Sequence, residues 1–142
     1  MLFAILLVGM AGMATELLLS GHYDGPVQRV PLGLMAAVAG VIVWHLLVPG
    51  VASVRALQFG MVLFLSTGLI GVGYHYAGNE EFERELYPGV EGTALIRQSL
   101  TGATPVLAPG SLVLLGLVGL TYAYRHPVLA TDRGESTIKA SE

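Results

Sequence analysis

The chain has 142 residues, 54% of them hydrophobic and 12% charged, with a net charge of −3 and a mean hydropathy of +0.68. Soluble domains carry about twice that share of charge, and seven scattered basic residues do not build the basic stripe that nucleic-acid binding requires. With no cysteine, disulfides, thiolate metal sites and c-type haem attachment are excluded.

Charge is missing from long stretches: Met1–Thr15, Val30–Val54, Ala56–Asn79 and Gln98–Tyr124 hold no Asp, Glu, Lys or Arg. A helix crossing hydrocarbon needs roughly 20 mostly apolar residues. The last three stretches are long enough, and the first becomes so once Glu16 is taken in. The polar–apolar alternation of a membrane barrel is absent. The fold class read from this pattern is all-α: a polytopic membrane protein, residues 1–129, built as a four-helix bundle that runs up, down, up and down.

The first span covers about residues 2–19. Gly12-Met13-Ala14 resembles a cleavage site, but no basic residue precedes the apolar run, so a retained helix is favoured over a signal peptide. It stops at a turn-forming cluster, Ser20 to Pro26. The second span covers about 32–48, with Pro31 suited to a first helical turn and Pro49-Gly50 as the exit turn. The short link to the third span, about 54–76, predicts an antiparallel hairpin, with Gly78 ending the helix. Residues 77–105 read as one outer loop, with a charged, helix-permissive Asn79–Leu86 and a short surface helix at Thr93–Leu100 that puts Leu95, Ile96 and Leu100 against the membrane. The fourth span covers about 106–124. Residues 130–142 form a polar tail whose composition suits disorder.

Trp44, Tyr74, Tyr76, Tyr122 and Tyr124 fall near span ends, where amphipathic rings favour the headgroup level. Small residues at helical spacing mark packing faces: Gly33, Ala36, Ala37 and Gly40 on the second span, Thr67 and Gly71 on the third. Arg55 and Arg125 lie directly beside spans, on the side that also holds Arg133 and Lys139. The positive-inside rule then puts both termini in the cytoplasm. The location implied is the cell membrane, the inner membrane if the source is bacterial.

The first and third spans both lead out to the same side, whichever way the chain is inserted. Glu16, His22, Tyr23 and Asp24 lie at one exit; Tyr74, His75, Tyr76, Asn79, Glu80, Glu81 and Glu83 lie at the other. Glu16, His22, His75, Glu80 and Glu81 are therefore candidate ligands for a divalent metal, or the histidines for a b-type haem. Arg29, Asn79 and Arg97 are polar partners within reach. No signature spacing such as Glu-x-x-His within a span supports the set. Glu16 lies about one turn inside its apolar segment, where a carboxylate is costly unless paired or near the interface. His45 and His126 belong to the opposite side and read as interfacial anchors.

No Walker A, dinucleotide, nucleophile-elbow or zincin motif occurs, which favours a non-enzymatic role. The leading reading is an accessory subunit or assembly factor, whose partners are the bilayer and other membrane subunits or itself. A metal- or haem-binding redox protein is the alternative. A small proton- or ion-conducting oligomer, resting on Glu16, is a third.

Overall fold

The structure, a computed structural model, describes residues 1–130; apart from Ala130, the polar tail read over 130–142 lies outside the described residues. The helices in chain order are α1 (Leu2–Leu19), α2 (Pro26–Leu47), α3 (Val51–Leu86), α4 (Gly92–Leu100) and α5 (Gly110–Ala123), with no strand among the described residues. Three of them, α1, α2 and α3, are long and apolar enough to cross a membrane, and α5 is apolar but shorter. At 1.5 Å per residue, α5 is about 21 Å long against a hydrocarbon core of about 30 Å.

Local chemistry sets the helix ends. α1 stops where the Ser20 N–H bonds Glu16 O at 2.9 Å and Gly21 turns to φ +67°. α2 begins earlier than Pro31, the start read from the sequence. Pro26 occupies the first turn, and the Gln28 side chain accepts the Gly25 N–H at 2.9 Å. Pro31 lies inside the helix; its ring denies Val27 a helical donor. Ser53 accepts the Gly50 N–H at 3.1 Å and starts α3.

α3 does not stop at Gly78. It has 36 residues, about 54 Å, so it outruns any bilayer crossing by roughly 20 Å. One glycine costs a helix about 1 kcal/mol, while the following segment suits a helix and carries an i,i+4 ion pair, Glu80–Arg84 at 2.9 Å. The chain breaks only at Pro88-Gly89, with φ +101° at Gly89. Much of the stretch read as an outer loop is therefore helix: the end of α3, and α4 packed against it. Leu95 of α4 faces α3 and is buried, while Ile96 and Leu100 stay exposed.

Helices α1, α2, α3 and α5 share one buried cluster that includes Leu6, Met10, Met35, Val38, Phe64 and Leu112. The most extensive packing is between α3 and α5. A Cβ on Gly68 would lie 2.9 Å from Pro109 O, and one on Gly116 would lie 2.8 Å from Met61 O. α2 packs elsewhere along α3, with Val38 over Gly60, and α1 packs on α5, with Leu115 over Gly9. α1 and α2 barely touch.

The two small-residue faces read from the sequence have different fates. Gly71 of α3 packs internally, 2.8 Å from Pro109 Cβ measured from a Cβ placed on it, and Thr67 is half-buried. Gly33, Ala36, Ala37 and Gly40 of α2 are all exposed, and nothing lies within 4 Å of a Cβ at Gly33 or Gly40. Trp44 and Tyr124 are exposed near helix ends, and Tyr74 is exposed within α3, which runs on past it.

Candidate functional site

The described polar side chains gather at two ends of the helices. His22 precedes α2 and His45 lies near its end; His75 and Ser53 are separated by about 33 Å along α3. The two groups are therefore a membrane thickness apart.

At the first end, the histidines placed on one side by the span count come together. The rings of His22 and His75 lie 6.2 Å apart between centroids, tilted by 45°, and both are half-buried. His75 Nδ1 is 3.1 Å from the Pro105 carbonyl. That carbonyl can only accept, so Nδ1 carries the proton and Nε2 keeps its lone pair while the ring is neutral. Asn79, one turn further along α3 and 2% exposed, holds the segment that presents Pro105. Its Nδ2 donates to Ser99 O at 2.9 Å and Thr104 O at 2.8 Å. Its Oδ1 accepts from the Thr104 N–H at 3.1 Å and from the Thr104 hydroxyl. Gly102 lies so close that a Cβ there would meet Asn79 Cγ at 2.8 Å.

The carboxylates proposed beside these histidines do not join them. Glu16 is exposed on α1, Glu81 is exposed on α3, and Glu80 is bound to Arg84. Arg29 turns back on the preceding loop, with Nε donating to Tyr23 O at 2.8 Å, and Arg97 is exposed on α4. Among the described residues no group of three or more His, Asp or Glu side chains is arranged to hold a metal ion. The physical reason is the continuation of α3. It carries Glu80, Glu81 and Glu83 onto the far end of α3, where Glu81 is exposed and Glu80 and Glu83 are half-buried.

The second end holds a constellation that sequence reasoning missed. His45, read as an interfacial anchor, is 5% exposed. Its Nδ1 is 3.0 Å from Ser53 Oγ and its Nε2 is 3.2 Å from Tyr122 Oη. The His126 ring lies 5.3 Å from His45 and 5.5 Å from Tyr122, and Phe3 of α1 stacks against Tyr122 at 5.0 Å. Gln58 donates to Ala123 O at 3.1 Å beside them.

Bond directions follow from the donors available. Ser53 Oγ is 2.9 Å from Gly50 O, which can only accept, so the hydroxyl proton points there. Ser53 then accepts from His45 Nδ1–H, and His45 Nε2 accepts from the Tyr122 hydroxyl. The chain ties α5 to α2 and to the start of α3 with every proton used. Ser53 is 1% exposed and its oxygen caps a helix; it is a lock, not a nucleophile. The signal that could have found it was the same span count that grouped His22 with His75, since it also puts His45, Ser53, Tyr122 and His126 on one side.

No protein-family model, no curated protein and no solved structure matches this chain.

Proposed function

We propose that the chain is a four-span accessory subunit or assembly factor of a membrane complex, and that it docks on its partner through the exposed face of α2. The observation that carries this reading is the idle state of Gly33, Ala36, Ala37 and Gly40. A glycine inside a helix is about 1 kcal/mol less favourable than alanine. Gly60, Gly68, Gly71 and Gly116 offset that by admitting a neighbouring helix. Gly33 and Gly40 admit none among the described residues. In a bilayer, small residues at such spacing serve close helix approach from outside, where dispersion contacts replace the hydrophobic drive that lipid removes.

A fourth crossing by the 106–124 segment is part of the proposal. It is supported by the burial of Val106, Leu112 and Leu115 and by the absence of charge from residue 98 to residue 124. The polar ends then act as braces: the His45 lock holds one end of the bundle, and Asn79 holds the loop at the other.

Because the chain has no cysteine, a single Ala36→Cys variant labelled with a photo-activatable benzophenone maleimide tests the docking face in native membranes. A cross-link from that position to a second polypeptide, lost when Gly33 and Gly40 are also replaced by leucine, is the expected result. If Ala36→Cys yields only uncross-linked protein while remaining reactive to a lipid-soluble maleimide, the face is bare to lipid and the docking role fails.

A further inference from the structure

We infer that the part of α3 standing outside the bilayer is a docking arm for a basic amphipathic helix of a partner protein. The inference rests on the reading of this chain as a subunit of a membrane complex, and it adds a contact on a different element from α2. His22 follows the end of α1 and meets His75, so the bilayer surface crosses α3 near residue 75. The helix runs on to Leu86, about 16 Å further. Phe82 stands about 10 Å above that level. Both it and Leu86 lie beyond a headgroup layer of roughly 5–8 Å.

Phe82 and Leu86 are one turn apart and share a face of this arm. They are 45% and 52% exposed, so α4 leaves about half of each side chain uncovered. Lipid tails lie below them, and the chain beyond Ala130 leaves from the His126 end, a membrane thickness away. An apolar pair held at that height fits a protein surface, and charge selects which. Glu81 and Glu85 form the neighbouring stripe, again one turn apart and both exposed. From residue 79 to residue 104 the chain carries five glutamates against two arginines. One of those arginines, Arg84, is taken by Glu80. A helix with apolar residues on one face and Lys or Arg along its edge matches both stripes, as in paired helices whose flanking charges set partner choice. An anionic bilayer surface is repelled by the same carboxylates.

The test uses the full chain in native membranes, with Gly78→Cys carrying a benzophenone maleimide. Gly78 lies one turn below Phe82, and nothing lies within 4 Å of a Cβ there. After irradiation, mass spectrometry of the cross-linked peptide is expected to give an extramembrane segment of another polypeptide with net positive charge. The yield should fall about tenfold in Glu81→Lys, Glu85→Lys and in Phe82→Ser, Leu86→Ser, each with unchanged helical circular dichroism. It should also fall when salt is raised to about 0.5 M before irradiation. An adduct to phospholipid, to a second copy of this chain or to a neutral or acidic segment overturns the inference. So does a yield that both double variants leave unchanged. The Ala36→Cys cross-link reports separately: if it persists while the Gly78→Cys adduct is missing, the arm fails and docking through α2 stands. Absence of both removes the subunit reading itself.

Discussion

His45 is bonded at both ring nitrogens, and its two partners differ in what they lose when it is removed. Ser53 keeps the Gly50 carbonyl and N–H, so its hydroxyl stays paired. Tyr122 loses its acceptor. Hydrogen bonds between helices within membranes average about 0.6 kcal/mol, whereas a buried group left unpaired costs about 1–3 kcal/mol. Tyr122→Phe leaves the buried His45 Nε2 without its donor and His45→Phe leaves the Tyr122 hydroxyl without its acceptor, so each should destabilise the protein by about 1–2 kcal/mol, measured by unfolding in mixed detergent–dodecylsulfate micelles. An unchanged stability in His45→Phe would return this residue to the anchoring role that its position beside Trp44 suggests. That position is why the sequence reading passed it over. A histidine next to a tryptophan at a span end looks interfacial, and only the inward turn of its face toward Tyr122, 77 residues away, makes it a brace. Asn79 was legible as a polar residue one turn from His75, but its partners, in the 99–104 segment, follow from the path of the chain and not from spacing.

Among whole elements, the helices were legible where charge is absent and least legible where polar residues are helical. The limits of α1 match the run from residue 2 to residue 19, because the Ser20–Pro26 cluster both ends the apolar stretch and breaks the helix. α3 overran its apolar stretch because hydropathy reports where a membrane ends, and a helix has no need to end there. Which small-residue face packs inside the chain was not legible at all. Lipid tails are as apolar as leucine, so the face turned to lipid and the face turned to a neighbour carry the same residues. Bulky substitution separates them. Gly116→Leu must displace Met61 O and Leu65, an overpacking cost of about 1–3 kcal/mol. Gly40→Leu meets nothing within 4 Å and gains helix propensity of up to about 1 kcal/mol. Thermal unfolding of the purified chain should fall for the first and hold or rise for the second. Equal losses at both positions would mean that the α2 face is packed within a single chain.

At the scale of the whole molecule, the contacts between chain ends bear on topology. Phe3 at the start of α1 meets Tyr122 at the end of α5, and Tyr122 meets His45 at the end of α2. At the other end, His22 after α1 meets His75 far along α3. If α5 and the turn before it complete a crossing, successive helices alternate in direction and the two polar ends face different compartments. The absence of native cysteine makes this measurable with single cysteines and a membrane-impermeant maleimide in sealed cells. Ser20→Cys and Glu85→Cys, near the His22–His75 end, should label together. Ala52→Cys, in the turn that carries the His45 lock, should label only after the membrane is opened. That expectation rests on the positive-inside rule applied to its neighbour Arg55 and the distant Arg125. Two results would break the scheme differently. Labelling of Ala52 in intact cells, with Ser20 and Glu85 protected, would keep the bundle and invert it. Labelling of Ser20 and Glu85 from opposite compartments would remove the bundle itself, because no even count of crossings can then separate the first loop from the third.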